Sequence, residues 1–329
     1  MAAPLTIADV EAAQRRIAGR VHRTPLLSSH TLGAQIGLGG PVWLKAENLQ
    51  KTGSFKVRGA LNTIDLLSDE QKARGVITVS AGNHAQAVAW AAATAGVAAT
   101  VVMAAAASPI KVAATRGYGA EVILFGANNL EAFAEMERLR EERGLTLVHP
   151  FDAATTVAGT GTVGLELLED LPDLGLGAGA GRDTVVVGIG GGGLSSGLAF
   201  VLKTLRPGIR VIGVEPTGAP AMTNALRAGK PVPLTSAQTI ADGLAAPFAG
   251  VLNLALVRDY VDEVILIDDE AILAGSRFLL ERAKLLAEPA GSAATGALLT
   301  GVIKVEHGAT VISIVSGGNV DPEKLRLYF

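Results

Sequence analysis

The chain has 329 residues, 49% of them hydrophobic and 18% charged, with a formal net charge of −3 and no cysteine. That balance argues against nucleic acid or an anionic membrane as a main partner, and the missing thiols exclude disulfides, cysteine nucleophiles and sulfur-ligated metals. The length suits one large domain or two smaller ones, and 40 glycines beside short Val and Ile runs fit a compact α/β enzyme.

The start, Met1 to Glu11, lacks a charged-then-apolar signal pattern, and apolar stretches break well before membrane-spanning length. A soluble, cytoplasmic protein is expected. Further along, Lys56 lies in Lys51-Thr52-Gly53-Ser54-Phe55-Lys56-Val57-Arg58-Gly59-Ala60. A lysine between Phe55 and Val57 suits a desolvated amine, because burial disfavours the ammonium form. A neutral amine can form an imine with an aldehyde and can move protons. The competing reading is a surface lysine that opens an amphipathic helix.

Short β-branched runs then alternate with alanine-rich helical patterns, which implies βαβ units and a largely parallel sheet. Strands are predicted over Val76–Ser80, Thr100–Met103, Glu121–Phe125, Thr184–Ile189, Arg210–Val214, Val264–Ile267 and Thr310–Val315. Helices are predicted over Asn83–Ala95, Leu130–Arg143, Val157–Glu169, Ser195–Leu205 and Asp269–Leu286. Gly175–Arg182 reads as a flexible loop without assigned function, and no internal repeat is present.

Three strand ends are rich in glycine and small polar residues, where parallel sheets place ligands. In Ser80-Ala81-Gly82-Asn83-His84 the amides opening a helix, with the Ser80 hydroxyl, suit a substrate carboxylate; an ordinary helix cap is the alternative. His84 reads as a general base or as a packing histidine. Gly190-Gly191-Gly192-Gly193, followed by Leu194 at the start of a helix, suits a phosphate. Gly188, Gly190 and Gly193 also satisfy G-x-G-x-x-G, with Glu215 placed as an acidic ribose partner, so a nicotinamide-dependent dehydrogenase stands as an alternative. Ser316 ends the last strand, where a neutral hydroxyl can meet a ring nitrogen or merely terminate a turn.

Taken together, these segments resemble the pyridoxal-phosphate enzymes of the tryptophan-synthase-β fold (fold type II), and within them the threonine/serine dehydratases, or threonine ammonia-lyases, and the serine racemases. Glu47–Ala60 resembles the family's Schiff-base segment, Ser80–His84 its substrate-carboxylate loop and Gly190–Leu194 its phosphate loop. Ala287-Glu288-Pro289-Ala290-Gly291 and Ser316–Asn319 resemble later segments, and the likeness runs from about Val10 to Asp321. It implies two open, twisted, mostly parallel sheets flanked by helices, with the cofactor in a cleft between two domains. The large domain would be residues 1–67 plus 156–329, and residues 68–155 a small mobile domain that closes on substrate.

The resemblance also implies roles. Lys56 carries pyridoxal 5′-phosphate, Phe55 lies beside its ring and Asn83 bonds its ring oxygen. Gly190, Gly191, Gly192, Gly193 and Leu194 hold its phosphate, and Ser316 meets its pyridine nitrogen. Ser80, Ala81, Gly82, Asn83 and His84 line the substrate. The implied reaction dehydrates and deaminates a β-hydroxy amino acid to a 2-oxo acid and ammonia. Threonine, serine, 3-hydroxyaspartate and phenylserine share the reacting centre, and a homodimer or homotetramer is implied.

Several positions depart from relatives. Racemases of the group carry serine where Ala81 stands and tend to carry arginine where Glu131 stands, which favours a dehydratase. Glu215 and Ala219 match two ligands of a divalent-cation site, but Ala221 replaces the aspartate, so no strong metal site is expected. Thr160 stands where glutamine is expected. Little chain follows Ser316, so no appended regulatory domain and no feedback inhibition by isoleucine are expected.

Overall fold

A computed structural model describes residues 5–173 and 183–328 of the chain; the expected loop at Gly175–Arg182 lies outside the described residues. The described residues form ten strands: β1 Leu26–Ser29, β2 Val42–Ala46, β3 Val76–Val79, β4 Ala99–Met103, β5 Glu121–Leu124, β6 Thr146–Leu147, β7 Thr184–Gly188, β8 Arg210–Pro216, β9 Glu263–Ile267 and β10 Val311–Val315. They form a six-stranded sheet, β1-β2-β10-β7-β8-β9, and a four-stranded sheet, β5-β4-β3-β6. Every pairing is parallel except β1 with β2.

The two central strands of the larger sheet, β7 and β10, are buried throughout, as expected of parallel strands covered on both faces. Alternate residues serve opposite layers. Leu44, Val186, Ile212 and Val214 pack on Ala290, Ala293, Ala294 and Ala297 of helix Pro289–Leu299. Val185, Val187, Val211, Ile312 and Ile314 pack on Leu194, Leu198 and Leu202 of helix Gly193–Leu205 and on Val163 and Leu167. In the smaller sheet, Val76, Val101 and Met103 share a core with Ala85, Val88 and Ala92 of helix Asn83–Thr94. Val57, Ala60, Leu61 and Ile64 join that same core, so helix Lys56–Asp65 lies against the smaller sheet's first helix.

The sequence pattern misjudged one element. The expected helix Asp269–Leu286 ends at Phe278, continues as a π turn over Leu279–Ala283, and stops at Lys284, which is left-handed at φ 60°. The reversal lets Leu285 and Ala287 enter the core, a gain that offsets the strained lysine. Three strands escaped the pattern altogether. β6 has only two residues, β1 reads Leu-Leu-Ser-Ser, and β2 carries a fully buried Lys45.

Candidate active site

Strands β2, β10 and β7 are neighbours and run parallel, so their carboxyl ends open on one side of the sheet. Those ends lead into the Lys56 segment, Ser316 and the glycine quartet, and main-chain bonds stitch the first two together. Phe55 N donates to Ser316 O at 3.2 Å, Gly318 N to Gly53 O at 2.9 Å, and Ser54 pairs with Gly317. From the other sheet, β3 delivers the Ser80–His84 turn. Asn83 Nδ2 donates to the Glu288 carboxylate, while Asn83 Oδ1 accepts from Asn319 Nδ2 at 2.8 Å. Thus Lys56, Asn83, Ser316 and the glycine loop are brought to one cleft.

Lys56 opens a helix but is not the surface lysine of the competing reading. It opens helix Lys56–Asp65, and its side chain is half-buried, with Nζ donating to Pro150 O at 2.7 Å and lying 5.1 Å from the Phe55 ring centroid. Burial lowers its pKa to about 8, although the nearby Glu288 acts in the opposite direction. Two residues on, Arg58 is buried. It donates to both Glu47 oxygens at 2.8 Å and to Glu166 at 2.6 and 2.9 Å, and Lys45 Nζ donates to Glu166 at 2.7 Å. This buried charge cluster fixes the first turn of the Lys56 helix against β2 and helix Ala154–Asp173.

The glycine loop exposes amides rather than side chains. Among the described residues, none of the main-chain N–H groups from Gly190 to Ser195 has an acceptor, although nearly all of this segment is buried. Buried amides without partners are rare, and six in a row at a helix N-terminus form a prepared anion site. Packing also demands glycine here. A Cβ at Gly191 would lie 2.5 Å from the Phe151 ring, and Gly192 combines φ +96° with a 2.7 Å approach to Asn253. Thr160, unexplained by sequence, places its Oγ1 2.7 Å from Gly193 O, and Asn253 Nδ2 donates to Gly191 O at 2.8 Å.

In the Ser80 turn, Gly82 N donates to Ser80 Oγ at 3.2 Å, and the amides of Asn83 and His84 open helix Asn83–Thr94 beside the half-buried Ala81. The His84 ring is buried, with Nε2 donating to Val148 O at 3.0 Å, and burial pushes its pKa down to about 3. Its side chain is therefore the packing histidine of the two readings. Ser316 is buried and makes no side-chain hydrogen bond among the described residues. Ser54 Oγ, beside it, is buried without a partner.

The dinucleotide alternative fails at its acid. Glu215 is fully buried and accepts from Met222 N at 2.7 Å, Thr223 N at 2.8 Å and Thr223 Oγ1 at 2.6 Å. Its carboxylate is spent on the start of helix Ala221–Ala228 and is not open to a ribose or, with Ala219 and Ala221, to a cation.

Sequence reasoning missed four participants. Pro150 acts through its carbonyl, which residue type does not encode. Phe151 packs over the glycine loop, and Asp152 accepts from Val251 N and Leu252 N at 2.8 and 3.0 Å, tying that segment to helix Val251–Tyr260. Sequence assigns Glu288 no role beyond its place in a family-like segment; its side chain makes no cap bond to the helix that follows and reaches Asn83.

Comparison with known proteins agrees with this geometry. Residues 17–317 match the family described as pyridoxal-phosphate dependent enzyme. The chain is 45% identical over 312 residues to an L-threonine ammonia-lyase of Geobacter sulfurreducens, covering 95% of this chain and 75% of that one. A solved maize serine racemase superposes with TM-score 0.90 at 41% identity, covering 99% of this chain and 97% of that one. A solved T.th. threonine deaminase gives 0.88 at 41%, covering 96% and 99%. The chain belongs to the family of pyridoxal-phosphate dependent enzymes.

Proposed function

We propose that this chain is a pyridoxal-phosphate-dependent ammonia-lyase that eliminates water from L-threonine or L-serine, the released product then taking water back by hydrolysis to give a 2-oxo acid and ammonia, so that the net loss is ammonia alone. The observation that carries the reading is the half-buried Lys56 amine, with its pKa lowered to about 8, in the same cleft as the run of unpaired glycine-loop amides. The residues fit the cofactor: a low-pKa amine for its aldehyde, free amides for its phosphate, and the orphaned Ser54 hydroxyl beside Ser316 for its polar ring edge. Once bound, it supplies an electron sink that makes the substrate's α-hydrogen acidic and lets the β-hydroxyl depart.

The chain's own groups do the rest. Lys56 Nζ would hold the cofactor and, as a neutral amine, take the α-proton. Gly190 to Gly193 and Leu194 would cradle the phosphate, Ser316 would face the ring nitrogen and Phe55 the ring. Asn83 would bond the ring oxygen, and the amides of the Ser80–His84 turn would hold the substrate carboxylate. Residues 68–155 would act as a closing unit. Ser108 Oγ donating to Asp321 at 3.0 Å and Lys111 lying 3.8 Å from Asp242 already bridge toward the larger sheet. A homodimer or homotetramer in the cytoplasm completes the proposal; no helix among the described residues is long and apolar enough to cross a membrane.

Incubating the holoprotein with a panel of β-hydroxy amino acids tests the reading, with 2-oxo acid and ammonia release expected for threonine or serine. Lys56→Ala should abolish turnover and the yellow colour while leaving a folded protein. Borohydride reduction followed by peptide mapping should place a pyridoxyl group on Lys56, and a label elsewhere would refute the assignment. Serine racemization is the second reading, favoured by the maize structure's similarity. With Ala81 offering no proton donor, L-serine should yield no D-serine.

A further inference from the structure

Glu288 stands directly before helix Pro289–Leu299, in the place of an N-cap, and its main-chain oxygen accepts from Ser292 Oγ at 3.0 Å, but its side chain makes no cap bond to that helix. Its carboxylate accepts from Asn83 Nδ2 across the cleft. Gly317 presses from beneath: a Cβ there would lie 2.4 Å from Glu288 Oε1 and 3.1 Å from Asn83 Nδ2, and Glu288 N donates to Gly317 O at 3.1 Å. On the other side, Asn319 Nδ2 donates both to Asn83 Oδ1 at 2.8 Å and to Thr52 O at 2.6 Å. The Asn83 amide is thereby fixed in orientation, and one hydrogen on Nδ2 is left for a ligand.

In the reading given above, on which this inference rests, that hydrogen serves the cofactor's anionic ring oxygen. We propose that Glu288 is a positioning residue that surrenders its negative charge when the cofactor binds: its carboxylate and the ring oxygen share one uncharged amide nitrogen, so loading draws a solvent proton onto Glu288. Two oxygens bonded to the same nitrogen each sit about 3 Å from it and thus within about 6 Å of one another. At that separation like charges disfavour a second ionisation.

The surroundings already lean this way. Burial raises Glu288 to about 7, with Asp242 adding to the effect, while Asn83, Lys111 and Lys56 oppose it. These charged groups come from three directions: Lys56 from its own helix, Lys111 from helix Pro109–Gly117 and Asp242 from the turn Asp242–Leu244. Asp242 is itself paired with Lys324 at 3.1 Å.

The test titrates apoprotein with pyridoxal 5′-phosphate from pH 6 to 9 and compares the wild type with Glu288→Gln, which keeps an oxygen acceptor for Asn83 but cannot ionise. The ratio of wild-type to variant Kd should rise across this range, by about tenfold for each unit by which the bound cofactor raises Glu288. A ratio constant within twofold overturns the inference. A second measurement needs no variant. Calorimetry of the wild type at pH 8, in buffers of different ionisation enthalpy, should show greater proton uptake with pyridoxal 5′-phosphate than with its 3-deoxy analogue. Equal uptake refutes the shared amide. The failures are separable: a pyridoxyl label on Lys56 with a flat ratio defeats this inference alone, whereas no label there defeats the functional reading.

Discussion

Replacing Arg58 by methionine should lower stability more than any surface change in this chain. The guanidinium lies between two buried carboxylates, donating through Nε and Nη2 to Glu47 and through Nη1 and Nη2 to Glu166, with Thr162 Oγ1 at 3.1 Å from Nη1. Each charge pair at about 4 Å contributes roughly 4 kcal/mol at an effective dielectric of 20, much of it offset by desolvation. Methionine restores most of the volume but strands Glu47, whose remaining partners are Thr24 and the charge of Lys45. Removing one member of such a network costs about 3–5 kcal/mol. For a chain of this size that corresponds to a Tm lower by about 4–7 °C.

Circular-dichroism melts and urea midpoints measure the loss, and Arg58→Met combined with Glu47→Gln should recover part of it, because the orphaned charge is gone. Burial alone would raise Glu47, but Arg58, Lys45 and Thr24 together hold it below the ordinary carboxylate range. The network's stabilisation is therefore present above pH 4.5 and is lost as pH falls through the lowered value. A single-variant loss under about 1 kcal/mol at pH 7, well below the range for a broken buried pair, or no recovery in the double variant, would refute the reasoning.

Three further outcomes are expected. Gly191→Ala drives a Cβ to 2.5 Å from the Phe151 ring, so overpacking should cost about 1–3 kcal/mol. Absorbance titration should show weaker cofactor binding by at least tenfold, and unchanged affinity would remove the loop from the phosphate's path. Asp152→Ala deprives helix Val251–Tyr260 of its capping carboxylate and should cost about 1–2 kcal/mol in thermal unfolding. Lys56 in the apoprotein penalises folding by about 3 kcal/mol below pH 8, a cost that fades as pH rises from 8 to 10.5. Lys56→Met should accordingly be more stable than the wild type at pH 7 and lose that advantage by pH 10.5; a pH-independent difference contradicts a desolvated amine.

The parts of this site legible in sequence are those that constrain the main chain. A glycine quartet after Thr184–Gly188 needs small residues because Phe151, Asn253 and Leu244 press on it, and that demand is visible as letters. Strands β3, β4, β7, β8 and β10 were equally plain, since burial on both faces makes each a short run dominated by Val and Ile with only small or β-branched residues between them. What stayed hidden acts through groups that every residue carries or through partners far along the chain. The Pro150 carbonyl has no side-chain signature, and the Glu288–Asn83 contact spans 205 positions. Lys45 in β2 reads as a surface residue until Glu166, 121 positions away, is seen beside it. The π turn after Phe278 kept its helical spacing, so periodicity could not reveal that Lys284 turns left-handed.

Among the described strands β10 is the last to be synthesised, yet it sits between β2 and β7 in the larger sheet. A nascent polypeptide on the ribosome must therefore leave a gap in the middle of that sheet until Val311–Val315 emerges. Until then the hydrogen-bonding edges of Val42–Ala46 and Thr184–Gly188 have no mate, and Ser316 cannot meet Phe55. Closing the larger sheet and joining the Ser316 and Lys56 segments are thus a single event, which ties completion of the site to the docking of this one strand.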